Sequence, residues 1–340
     1  MIGNRLLFFR KEKPEKTMKS YQSIFAPFME RYISLKKGLG YKCVDMGYSY
    51  SLFDRFVLIE SVSAVGITKE LADKWAMPRP NESPRTRYVR IAHVAQLCEF
   101  LCTLGYKSHI PKLPRVQSSH VPYIFSRQQA VAIFAASEKM MLKCSRHETS
   151  LSAIPALFRV LYGTGMRIGE ALALRDIDVN LNDKTIFIKG AKNGCDRRIP
   201  ISASLADVCK GYRIHRDLYA YPKLSAHTFF RAHNGEVCPR KSVYNWFRRI
   251  LCESEIPHWG RGMGPRVHDL RHTYSVHALD TMAGDGLDLN YALPILSACL
   301  GHRSLDATEQ YVRLTSEMHP GLLQDLNAVC SYVFPKKIML

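Results

Sequence analysis

Three prolines, Pro111, Pro114 and Pro122 in KSHIPKLPRVQSSHVPYIF, constrain this chain more than any other feature. Each removes a backbone donor and clashes with the preceding turn, so no helix runs through residues 107–125. The stretch has no helical periodicity and carries several basic side chains, which predicts an extended linker between two domains. Ser126 and Gln129 follow at once as an S-x-x-Q capping box, which opens a helix and a new domain.

Ahead of the linker, residues 1–17 read as a loose basic tail and 18–106 as a helical domain. Its clearest segment runs from Thr86 to Leu104, where Tyr88, Ile91, Ala95, Cys98 and Cys102 recur at three- or four-residue steps. Beyond the linker, 126–320 forms the second domain, helical to about Leu174. The period then changes to three short strands, Asp176–Asn180, Thr185–Lys189 and Arg197–Ile201, separated by the turn-prone Asn182-Asp183 and Asn193-Gly194. Helical patterns return at Ser242–Glu255, Val267–Asp280 and Ser304–Thr315, and residues 321–340 form a C-terminal segment able to make one more helix. The expected fold is therefore mainly α with one small three-stranded antiparallel sheet.

Charge narrows the choice of partner. The chain has 48 Lys and Arg against 30 Asp and Glu, a net charge of +18. Residues 1–119 hold 20 basic and 10 acidic side chains and the remainder 28 and 20, so both domains are positive. Two basic folded halves suggest that each touches a polyanion, with counterion release supplying much of the affinity. Arg85, Arg87 and Arg90 stand at the start of the Thr86–Leu104 helix, where cations gain nothing from the helix dipole; phosphates of DNA would explain them, with a plain solvated surface as the alternative. No apolar run approaches the ~18 residues that span a bilayer. Leu6–Phe9 falls short of a secretory core of about 7–15 residues, so a cytoplasmic protein is expected. The ten cysteines are scattered without a C-x-x-C pair, and Cys98 and Cys102 lie one helical turn apart, as buried thiols on an apolar face do.

Five motifs in the second half ask for one explanation. They are Arg167 in LYGTGMRIGEALAL, Lys192 in IKGAKNGCDRRIPI, His268 and Arg271 in VHDLRHTY, His302 in LGHRS, and Tyr311 in SLDATEQYVRLT. Singly, each has an ordinary structural reading, such as an ion pair of Arg167 with Glu170 or a packed helix tyrosine. The H-D-L-R-H stretch looks superficially like a zinc helix, but Asp269 stands where a metalloprotease needs glutamate, and it also needs a third ligand. His272 reads more simply as a core or capping residue.

Together, G-x-R-x-G-E, a hairpin lysine, H-x-x-R, L-G-H and a tyrosine nine residues beyond that histidine resemble the tyrosine recombinase (phage integrase) family. The match is close over roughly residues 120–320, whereas 18–106 fits only by position and helical character, as that family's core DNA-binding domain. The resemblance implies a catalytic set of Arg167, Lys192, His268, Arg271, His302 and Tyr311. The two guanidiniums would clamp the scissile phosphate and stabilise its transition state. Tyr311 would attack phosphorus, His268 would accept its proton, and His302 would bond or orient the phosphate. Lys192, or alternatively Lys189, would protonate the leaving 5′-oxygen. Arg197 and Arg198 would hold DNA phosphates, and Glu170 and Asp269 would orient their neighbours. The 3′-phosphotyrosyl bond conserves energy, so no cofactor is implied.

The partners implied are double-stranded DNA, a homotetramer on it, and accessory DNA-bending proteins. Leu322, Leu323, Leu326 and Val329 of the last segment are candidates for docking into a neighbouring protomer. The 34 positions from His268 to His302 exceed the compact pattern, with MAGDGLDLN as an extra loop, which resembles recombinases of mobile elements. Two other classes remain: a DNA-binding regulator on a degenerate form of the fold, which the complete set argues against, and a type IB topoisomerase.

Overall fold

The computed structural model describes residues 21–116, 121–143, 150–190, 196–218, 228–232, 234–260, 263–302 and 304–318. They form two compact units that divide after residue 119. The basic tail, Lys192 with the Asn193-Gly194 turn, and the segment 321–340 lie outside the described residues.

The first unit contains α1 (Ala26–Gly38), α2 (Val44–Ile59), α3 (Lys69–Ala76) and α4 (Pro84–Thr103). Short polar side chains start two of them. The Thr68 hydroxyl accepts the Leu71 N–H at 3.2 Å, and the Ser83 hydroxyl accepts that of Thr86 at 3.1 Å. Pro84 then supplies a φ already suited to the first turn of α4. The core gathers Phe25, Tyr50, Phe53, Trp75, Leu97 and Leu101, all fully buried. Rings of this kind each remove about 150–250 Å² from water, and they dominate the energy of a small helical unit.

Arg90, expected at a DNA phosphate, is instead part of that core. Its guanidinium is bonded to Glu82 through Nε at 2.7 Å and Nη2 at 2.9 Å. It also donates to the carbonyls of Trp75 and Met77 and stacks on the Trp75 ring. Arg87 donates to the Ala76 carbonyl at 2.9 Å. The last carbonyls of α3 have no partner within the helix, and these two arginines supply one. Only Arg85 of the three is exposed, lying over the Tyr88 ring. Cys102 is exposed as well, while Cys98 is buried, so the two thiols do not share an apolar face.

The second unit begins as the capping box requires. Gln129 Oε1 accepts the Ser126 N–H at 3.0 Å, and the Ser126 hydroxyl accepts that of Gln129 at 3.1 Å. The chain continues through α5 (Arg127–Lys143), α6 (Ile154–Thr164), α7 (Ile168–Ala173), the strands β1 (Val179–Asn180), β2 (Thr185–Ile188) and β3 (Arg197–Pro200), and α8 (Ala203–Asp217). It ends with α9 (Arg240–Glu253), α10 (Asp269–Gly284), α11 (Leu289–Leu300) and α12 (Asp306–Met318). The antiparallel sheet has the order β1-β2-β3, and Ile186 pairs with Ile199 on its buried face.

Two local expectations change. Asp176–Asp178 is a 3₁₀ turn and not a strand, because the Asp178 carboxylate takes both the backbone N–H and the guanidinium of Arg175. The expected loop at MAGDGLDLN is mostly helix: α10 runs on to Gly284 and only residues 285–288 separate it from α11. Helix α10 packs against α6, α11 and α12, which makes it the axis of this unit. No helix among the described residues is long and apolar enough to cross a membrane.

Candidate active site

Two helix ends build the centre of the site. Helix α6 stops at Gly165, whose φ is +62°, and α11 stops at Gly301, whose φ is +65°. A left-handed residue releases the last carbonyls of a helix, and glycine takes that conformation without strain. Neither position has room for a side chain. A Cβ at Gly165 would lie 2.3 Å from the Tyr274 ring, and one at Gly301 would lie 2.7 Å from the Arg197 guanidinium.

The freed carbonyls meet arginines. Arg271, on the first turn of α10, is 3% exposed and donates from Nη1 to the Gly165 carbonyl at 2.7 Å and from Nη2 to that of Leu300 at 2.9 Å. Arg197, on β3, donates from Nε to the Cys299 carbonyl at 2.8 Å. Both cations thus sit at the negative ends of helix dipoles, which offsets part of the cost of burying them. Burial and the neighbouring Arg167 charge pull the Arg271 pKa down to about 10, so the guanidinium remains charged at neutral pH.

Glu170 ties the two outer arginines together. Its carboxylate accepts Arg167 Nη1 at 3.0 Å and Arg197 Nη2 at 2.8 Å, and also the backbone N–H of Arg167 at 2.9 Å. Burial alone would raise its pKa, but the Arg197 and Arg167 hydrogen bonds hold it below the usual carboxylate range. Arg167 caps α7 and keeps 24% of its side chain exposed, against 8% for Arg197. Arg197 is therefore occupied in building the site and is not a free phosphate ligand; Arg198, next to it on β3, is exposed.

His302 completes the Arg271 shell. Arg271 Nη2 donates to His302 Nε2 at 2.9 Å, so the ring proton belongs on Nδ1, which faces the Thr308 hydroxyl at 2.8 Å. Burial and the charges of Arg271, Arg167 and Arg197 lower its pKa to about 4. His268 stands just before α10 and shows part of its ring to solvent. Burial of the rest, with Arg271 and Arg167 nearby, lowers its pKa to about 4 as well. Both imidazoles are neutral at physiological pH.

Tyr311, on α12, is buried to 1% exposure, its ring parallel to His302 with centroids 6.4 Å apart. Its phenolic oxygen lies 3.1 Å from Nδ1 of His272, and His268 packs edge-on against that same imidazole. From sequence His272 reads as a core or capping residue; its approach to the phenol, across 39 positions of chain, exists only in three dimensions. Asp269 is buried and accepts the Arg266 N–H, closing the start of α10.

The structure thus brings Arg167, Arg271, His268, His302 and Tyr311 into one cluster and adds Glu170, Arg197, His272 and Thr308. Lys192 lies outside the described residues; Lys189 is exposed just past β2. Three permanent cations, one carboxylate, neutral imidazoles and a phenol in a largely buried site suit chemistry on a phosphate diester. The arginines neutralise the oxygens that repel a nucleophile, and the phenol is the nucleophile at hand.

Comparison with known proteins agrees. Residues 124–318 match the phage integrase family. A putative integrase/recombinase of Sinorhizobium fredii is 25% identical over 299 residues, which covers 87% of this chain and 95% of that protein. The tyrosine recombinase XerA of Pyrococcus furiosus is 34% identical over 160 residues, 46% of this chain and 49% of that one. The fold is similar to that of the XerH site-specific recombinase in its post-cleavage complex with palindromic difH substrate. There the TM-score is 0.61 at 20% identity, covering 84% of this chain and 79% of that one.

Proposed function

The chain belongs to the phage integrase family and is a tyrosine recombinase, an enzyme that cuts and rejoins DNA; within that activity we propose that Tyr311 is the nucleophile and that the product of its attack is a 3′-phosphotyrosyl bond. The observation that carries this reading is Arg271, held by two helix ends and His302 beside the same α12 that carries Tyr311. A guanidinium has five N–H donors and three of these bonds are spent on the protein, which leaves two for a scissile phosphate. Arg167, the more exposed of the two, supplies the other half of the clamp.

Lys192 is the proposed general acid, with Lys189 the other candidate on the same hairpin. A lysine variant at the acid position is expected to cleave slowly when the leaving atom is the 5′-oxygen. With a bridging 5′-sulfur, a leaving atom that needs no proton, it should cleave at close to the wild-type rate. Timed trapping on nicked substrates of both kinds checks this, and an absence of rescue for Lys192→Ala removes Lys192 from the role.

Exchange between two duplexes cuts four strands, so four protomers on two paired sites are proposed, joined through residues 321–340, with DNA-bending proteins assisting. A relative named as an integrase/recombinase over nearly its full length supports integration or excision of a mobile element. The test uses a supercoiled plasmid carrying two copies of the DNA that flanks the native gene. Exchange between the copies is expected. Relaxation of a plasmid without either copy, with no exchange on the first, would make the protein a topoisomerase instead.

A further inference from the structure

We infer that His272 accepts the phenolic proton of Tyr311 during attack, a role that rests on Tyr311 being the nucleophile. Nδ1 of His272 is 3.1 Å from the phenolic oxygen, already within reach of a proton transfer. Tyr311 is 1% exposed, so its proton cannot pass directly to bulk water and needs an acceptor inside the protein. His302, the other imidazole beside the phenol, has both ring nitrogens engaged, one with Arg271 and one with Thr308. It acts by positioning Arg271. His268 stands edge-on to His272, with ring centroids 4.8 Å apart, and supports that ring.

The backbone fixes the arrangement. His272 follows Arg271 on α10, and Arg271 is fastened to the ends of α6 and α11. One rigid helical turn therefore sets the distance between the phosphate clamp and the proton acceptor. In the step itself the Tyr311 O–H bond breaks and its proton moves to Nδ1, leaving an imidazolium. The phenolic oxygen bonds to phosphorus, the bond from phosphorus to the 5′-oxygen breaks, and that oxygen takes a proton from the general acid. The negative phosphate stabilises the imidazolium that forms beside Arg271. Rejoining runs the same transfers backwards.

The test measures covalent adduct formation by the full chain on a nicked suicide substrate, alongside DNA affinity and thermal melting. Wild type should form the adduct and Tyr311→Phe should not; any other result fails the nucleophile assignment itself. With that control in place, His272→Asn, which keeps a hydrogen-bond acceptor but cannot take the proton, should lose about 10²–10⁴-fold in rate while binding DNA as before. His272→Gln serves the same purpose if the asparagine variant does not fold. Replacing Tyr311 by a fluorinated tyrosine, a more acidic phenol, should recover most of that loss, because less basicity is then needed. A His272→Asn rate within about threefold of wild type, or a loss that the acidic phenol leaves untouched, would overturn the inference while the nucleophile stands.

Discussion

Replacing Arg271 by lysine is expected to stop strand cleavage and weaken the fold together, although the charge is kept. The guanidinium spans the carbonyls of Gly165 and Leu300 while holding His302 Nε2, from one planar group. An ammonium offers its donors from a single point and cannot reach both helix ends at once. Each buried carbonyl left without a donor costs about 1–3 kcal/mol. Losing one transition-state donor costs about 10²–10³ in rate, and here His302 loses its anchor as well. Urea unfolding and single-turnover cleavage, measured on the same preparation, check both halves. A lysine variant keeping more than a tenth of the wild-type rate would mean that the fork is not what the chemistry uses.

Tyr311→Phe is expected to remove the covalent adduct completely while leaving DNA binding within about twofold. The ring keeps its place in the cluster of Val276, Leu279, Leu296 and Leu300, so packing is retained. What disappears is one oxygen and its bond to His272. A net effect of about 1 kcal/mol on stability is the usual scale for such a loss. The variant should therefore fold, bind and remain inert on a nicked substrate. Residual adduct at even a hundredth of the wild-type rate would point to a second nucleophile.

The sequence was most readable where a local rule has a local cause. The Ser126–Gln129 box, the sheet, and helices α4, α9, α10 and α12 each follow from nearby residues, to within a few positions at their ends. It was least readable where packing decides. Helix α11 has Pro294 in its interior and shows no clean apolar stripe. Arg90 illustrates a related failure. From sequence it is a cation at the wrong end of a helix, and only the structure shows the open carbonyls of α3 that it fills. Within the candidate site, motif order pointed to Arg167, His268, Arg271, His302 and Tyr311, which the structure places together, and to Lys192, which lies outside the described residues. The partners that hold them, Glu170 bridging two arginines and His272 touching the phenol, are contacts made across the fold.

The most direct test is to locate the covalent bond itself. The protein is trapped on a nicked suicide substrate, the DNA is trimmed by nuclease, and the tryptic peptides are weighed and sequenced by mass spectrometry. The expected result is a nucleotide remnant on SLDATEQYVR, the peptide ending at Arg313, whose one tyrosine is Tyr311. A remnant on any other peptide, or on the serine or threonine of this one, would contradict the proposal that Arg167, Arg271 and His302 are gathered to serve a phenolic oxygen.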